Sequence, residues 1–259
     1  MGLTVPYITD IFVEISAVRR IRDAISYAVQ DAYPSYIISD PGYGKTTALF
    51  YLAQEFGGAY CQIGEVNKNI AGMYMALLHA FQIAPTSMYE KDLFQQVLRN
   101  LSSDFDMSSQ GRKVLIIDEF QTLEDRTKRE LLKIHETCGF ALVLAGNSER
   151  IMSSGSGKKD VKALQQIEDR IGMRVALPSL NDADCEQIGV AYGVEGMDAY
   201  KAIKAFGGNT NVRNLVRLLR YAKRLAGGTA AIQLSHIEMA VLALYGKADK
   251  LQLLTRSDD

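Results

Sequence analysis

Apolar positions along the chain follow two rhythms. Over residues 10–31, Ile11, Ile15, Val18, Ile21, Ile25 and Val29 recur at three- and four-residue spacing, which predicts an amphipathic helix. Short β-rich runs then predict strands at residues 36–39, 59–63, 113–118, 140–146 and 173–177. Helical spacing fills the gaps, at residues 46–55, 69–81, 90–101 and 126–137. Strands alternating with helices imply βαβ units, hence an α/β fold with a mostly parallel sheet covered on both faces. After Pro178 no strand pattern remains, and residues 182–192, 197–206, 211–226 and 235–245 predict four helices. The expected organisation is a leading segment and helix (1–34), an α/β core (35–178), a helical part (179–250) and a flexible polar tail (251–259).

The chemistry sits at the ends of the predicted strands. Ser39-Asp40-Pro41-Gly42-Tyr43-Gly44-Lys45-Thr46 follows a strand and opens a helix, as a phosphate-binding P-loop requires. Gly42 and Gly44 would let backbone N–H groups turn inward without a Cβ in the way, and the helix start adds the positive end of its dipole. Lys45 would reach the β- and γ-phosphates of ATP, and Thr46 would ligate Mg²⁺. Asp40, Pro41, Tyr43 and Thr47 complete the expected nucleotide-binding stretch. One departure from G-x-x-x-x-G-K-[ST] is Ser39, which stands where the first glycine is usual.

About 70 residues on, Val114-Leu115-Ile116-Ile117-Asp118-Glu119 is an apolar strand ending in two carboxylates, the form of a Walker B segment. Asp118 is expected in the Mg²⁺ shell and Glu119 at the attacking water. Asn147, after the next strand, is a candidate to hold that water. Arg170 lies where a neighbouring subunit could offer it to ATP, with Arg174 as the alternative. Arg213, in Gly207-Gly208-Asn209-Thr210-Asn211-Val212-Arg213, could sense the γ-phosphate from the helical part.

In order and spacing these pieces resemble the AAA+ ATPases. The closer resemblance is to the transposition regulators exemplified by phage Mu transposition protein B and related transposon target-selection ATPases. Besides the P-loop, it is carried by Phe12-Val13-Glu14, Ile116-Ile117-Asp118-Glu119-Phe120-Gln121-Thr122-Leu123 and Gly139-Phe140-Ala141-Leu142-Val143-Leu144-Ala145-Gly146-Asn147. It spans about residues 10–226. The resemblance implies an AAA+ core with a helical lid, and head-to-tail assembly into filaments with ATP between subunits. It also implies non-sequence-specific binding of duplex DNA and recruitment of a transposase, with a further target-recruitment factor possible. In it, Lys45, Thr46, Asp118, Glu119, Asn147, Arg170 and Arg213 take the family's roles. The Mu protein's N-terminal helix-turn-helix domain has no counterpart here, so DNA contact would fall to the AAA+ body. Another client, such as a helicase or a secretion system, stays open, as does a nucleotide-dependent interaction module that scarcely hydrolyses ATP.

Composition narrows the rest. The 259 residues carry 29 Lys+Arg against 30 Asp+Glu, a net charge of -1, so DNA binding must come from a local surface. Between Lys201 and Ala226 there are seven Lys/Arg and no carboxylate. Arg213, Arg217, Arg220 and Arg224 there fall on one helical stripe that would face something anionic. Lys68, Lys128, Arg129, Lys158 and Lys159 are the other candidate DNA contacts, the last two on a Gly/Ser loop suited to phosphate tracking. Cys61, Cys138 and Cys185 form no C-x-x-C pair, which argues against a disulfide framework or a zinc site. The longest apolar runs, 114–117 and 140–145, are too short for a membrane span, and the start lacks a basic-then-apolar leader. A cytoplasmic protein is expected.

Overall fold

The structure, a computed structural model, describes residues 11–102, 112–147, 167–228, 230–246 and 248–255. It divides into two compact units: Arg20–Asp40 with Lys45–Leu177, and Ile8–Arg19 with Pro41–Gly44 and Pro178–Asp259.

The first unit is built on five parallel strands: β1 (Ser35–Ile38), β2 (Ala59–Gln62), β3 (Val114–Asp118), β4 (Ala141–Gly146) and β5 (Met173–Ala176). Their order across the sheet is β2-β3-β4-β1-β5. Every residue of β3 and β4 is buried, as expected of central parallel strands covered on both faces. β5, at one edge, alternates between half-buried and exposed positions. Helices α1 (Ser16–Asp31), α2 (Lys45–Glu55), α3 (Ile70–Ala80), α4 (Glu90–Ser102) and α5 (Asp125–Cys138) connect or flank the strands. Leu115, Ile117, Leu142 and Leu144 form one core with Met73, Leu77, Leu93, Val97, Leu131 and Ile134 of α3, α4 and α5. The pleat sends Ile116 and Val143 to the opposite face. In register, Ile38 lies beside Gly146, and Gln62 beside Asp118. The loops after β1, β3 and β4 therefore leave the same carboxyl edge, where ligands bind in open α/β sheets.

The second unit carries α6 (Asp182–Tyr192), α7 (Met197–Asn209), α8 (Val212–Leu225) and α9 (Leu234–Tyr245). Leu215, Leu218, Leu219 and Ala222 form the buried stripe of α8. Ile237, Ala240 and Val241 form that of α9, which packs against α8.

Two expectations are corrected here. The first helix starts at Ser16 and not near residue 10, leaving Ile11 57% exposed. The Ser16 N–H donates to Asp184 Oδ1 (2.7 Å) and its hydroxyl to Asp184 Oδ2 (2.6 Å), which satisfies groups that a helix start leaves open. Asp184 also closes a capping box with Asn181 at the start of α6. The tail is likewise not wholly free. Residues Ala248–Leu254 form a three-ten helix, and Asn209 Nδ2 donates to the carbonyls of Leu253 and Thr255, both at 3.4 Å. The turn lies against α7 and α9.

Candidate phosphate-binding site

β1 ends at Ile38, and the next residues cannot continue the strand because the chain must reverse into α2. Ser39 keeps one backbone bond, its N–H donating to the Gly146 carbonyl (3.3 Å). Gly42 and Gly44 then take φ of 94° and 80°, a region open to glycine and costly for other residues. Helix α2 begins at Lys45, so the N–H groups of its first turn lack intrahelical partners.

Three predicted residues meet in the first unit. Thr46 Oγ1 donates to Asp118 Oδ2 at 2.7 Å, and Lys45 Nζ lies 3.6 Å from Asp118 Oδ1. Asp118 is fully buried and Lys45 only 6% exposed. The Lys45 ammonium has no hydrogen-bond partner, and the Ser39 hydroxyl is also buried without one. A buried cation held only by a Coulombic contact lacks the acceptors that ordinarily stabilise it. Phosphate oxygens would supply them, and the hydroxyl–carboxylate pair of Thr46 and Asp118 is a hard oxygen donor set suited to Mg²⁺. The residues therefore fit a Mg-nucleotide.

Asp118 has two further donors. The Glu119 N–H reaches Oδ1 at 2.9 Å, and the Tyr60 hydroxyl reaches Oδ2 at 3.0 Å. Burial, then the Asp118 charge, pushes the Tyr60 phenol far above its ordinary range, so it remains a donor. Tyr60 escaped the sequence analysis because nothing in β2 marks it. Its place follows from strand order alone.

Glu119 is not part of the strand. β3 stops at Asp118, and Glu119 takes the left-handed conformation (φ 57°, ψ 37°) ahead of a three-ten turn, Phe120–Thr122. Its carboxylate accepts a hydrogen bond from Gln121 Nε2. Divergence of the two acids thus comes from the left-handed backbone at Glu119, directly after β3. Asn147 follows Gly146 off the end of β4 and is half-buried.

The turn residues Pro41–Gly44 belong with the second unit. There the Arg213 N–H donates to the Gly42 carbonyl at 2.9 Å. A Cβ on Gly42 would come within 2.7 Å of Asn211 Nδ2. Asn211 caps α8 by accepting from the Asn214 N–H at 3.0 Å. The Arg213 side chain itself is exposed.

The remaining candidates are scattered. Arg170 Nε is paired with Glu136 Oε1 at 2.7 Å, and Arg174 with Glu168 at 3.5 Å. Lys68 is exposed and pairs with Glu65 at 3.0 Å, while Arg129 is exposed on α5. Lys128 is corrected as a DNA contact. Its side chain is 1% exposed, with Nζ 3.2 Å from Asp125 Oδ1 and 5.9 Å from the Phe120 ring centroid. Its place on the inward face of the amphipathic α5 buries it, and burial lowers its pKa. Lys158 and Lys159 lie outside the described residues. Among the described residues no helix is long and apolar enough to cross a membrane.

Residues 29–151 match the family model of the AAA domain. No curated protein matches the sequence significantly. The fold is similar to that of Cdc6p from Pyrobaculum aerophilum: TM-score 0.62, 10% identity, covering 92% of this chain and 69% of that one. It is also similar to the ADP form of ORC2 from Aeropyrum pernix (TM-score 0.60, 16% identity, 90% and 69% covered). A RuvB variant from Thermotoga maritima shares it too (TM-score 0.57, 17% identity, 92% and 73% covered). The chain thus has an AAA+ P-loop fold with a helical C-terminal region, and its residues 29–151 are similar to the AAA domain.

Proposed function

We propose that this protein binds and hydrolyses ATP with Mg²⁺, assembles on duplex DNA without sequence preference, and there recruits and activates a transposase. The observation that carries the nucleotide reading is the buried, hydrogen-bond-free ammonium of Lys45 beside the Thr46–Asp118 pair. In this reading Lys45 and the inward N–H groups at Gly42 and Gly44 hold the phosphates, while Thr46 and Asp118 hold the metal shell. Mg²⁺ neutralises charge on the β- and γ-phosphate oxygens when bound. Glu119 orients the attacking water as general base, and Asn147 steadies it beside the γ-phosphate. Arg170, once released from Glu136, would serve the site of a neighbouring subunit. Arg213, two residues past the cap that lies against Gly42, would report phosphate occupancy to α8.

The client is proposed from the motifs shared with the transposition regulators. The fold is also found in a Holliday junction branch migration motor, RuvB. Membrane-free, cytoplasmic action belongs to the same reading. The test is anisotropy of a labelled duplex of arbitrary sequence, titrated with ATP, with ADP and without nucleotide. Cooperative binding with ATP alone, weakening steeply with salt, is expected. Equal binding in all three conditions would overturn the ATP dependence, and no binding in any of them would overturn the DNA reading. ATP turnover, followed separately, tests the enzyme reading.

A further inference from the structure

Of the lysines expected on DNA that are described, Lys128 is buried and Lys68 is paired with Glu65. The helical unit carries a stronger feature. Arg213, Arg217, Arg220 and Arg224 on α8 are all exposed. At 100° per residue they lie within about 60° of one another, along about 16 Å of helix axis. The helix has no acidic residue. Arg213, Arg217 and Arg224 form no ion pair with a described residue. Nearby cations are already engaged: Lys201 pairs with Asp198, Lys204 with Glu186, and Lys223 donates to the Ala230 carbonyl. The Arg224 guanidinium lies 5.6 Å from the Tyr221 ring centroid, which holds it in the stripe.

Stacked like charges repel, so this arrangement costs stability unless an anion faces it. Duplex DNA fits better than a peptide carboxylate cluster because its charges are evenly repeated. One strand presents a phosphate about every 3.4 Å of axis, so the stripe spans about five. Planar guanidinium groups match phosphate oxygens in pairs. We propose that the arginine face of α8 is the surface on which this chain holds the phosphate backbone of duplex DNA. The inference rests on the DNA-binding reading and assigns it a place. It also gives ATP dependence a route, because α8 starts at the backbone contact between Arg213 and Gly42.

The test compares the whole chain with its Arg217→Gln/Arg220→Gln/Arg224→Gln variant, by anisotropy with ATP at several salt concentrations. Each phosphate contact contributes about 0.9 to the slope of log affinity against log salt. The triple variant is therefore expected to lose about two to three from that slope and at least about tenfold in affinity. The corresponding Arg→Lys variant should keep the slope, and Lys128→Met, which removes a buried cation, should leave it untouched. Fluorescent-nucleotide affinity equal to wild type reports a folded variant. If the triple variant does not fold, Arg217→Gln and Arg224→Gln singly should each lower the slope by about one. Wild-type slopes in these variants would overturn the inference while leaving the DNA reading standing. So would loss of ATP-dependent self-association without DNA, which would make the face a protein interface. A wild-type chain that never binds duplex brings down the DNA reading itself, and this inference with it.

Discussion

On the proposed reading Lys45 and Glu119 make separable demands on the same nucleotide. Lys45 is held at 3.6 Å from Asp118 with no hydrogen bond, so phosphate would gain a charge-assisted contact at little reorganisation. Lys45→Ala should weaken ATP binding by about ten- to a hundredfold, the worth of one such contact. The Glu119 carboxylate accepts from Gln121 Nε2 and is assigned to the attacking water rather than to the phosphates. Glu119→Gln should therefore leave ATP affinity near wild type and slow hydrolysis by about 10²–10⁴-fold, prolonging any ATP-dependent complex. Equilibrium nucleotide binding and steady-state turnover read the two effects. Undiminished turnover in Glu119→Gln would remove that carboxylate from the chemistry. Lys45, Thr46, Asp118 and Glu119 were all legible in the sequence, since their types and spacing are what the chemistry needs. Tyr60 was not, because an isolated tyrosine in a strand has no local signature.

The start of α1 depends on a residue far along the chain. Asp184 is 1% exposed and accepts from the Ser16 N–H, the Ser16 hydroxyl and the Asn181 N–H. Asp184→Ala would strand those donors and uncap both α1 and α6, so it should cost about 2–4 kcal/mol. Thermal or urea unfolding of the variant measures this, and a loss below about 1 kcal/mol would show that water replaces the carboxylate. Apolar periodicity extended the helix back to residue 10, because Ile11 fits its spacing. A side-chain cap 168 residues distant sets the true start. The four helices of the second unit were legible almost to the residue, since their apolar stripes are local.

The proposed assembly would enter through Arg170. In a single chain its guanidinium is spent on Glu136, an ion pair whose members are 37% and 49% exposed, so the pair contributes little to stability. If a neighbouring subunit's ATP recruits it, Arg170→Ala should keep ATP affinity and lose about 10³-fold or more in turnover. Mixing Arg170→Ala with Glu119→Gln should then recover part of the activity, because one subunit contributes the arginine and the other an intact site. Absence of recovery at every mixing ratio would place Arg170 outside the shared site. On the proposed reading DNA binding belongs to the same assembled state, and there the α8 face should dominate the slope of affinity against salt.

Strand–helix alternation, the P-loop, the two carboxylates at the end of β3 and the α8 stripe could be read without coordinates. Each rests on residue type and short-range spacing, which chain geometry converts directly into a face or a turn. Tertiary structure alone decided that Lys128 is buried, that Tyr60 donates to Asp118, and that Gly42 has no room for a side chain beside Asn211. The last two relations join residues tens to more than a hundred positions apart. No local pattern encodes them, because they arise from strand order and helix packing, which bring distant side chains within bonding range only after the chain has folded.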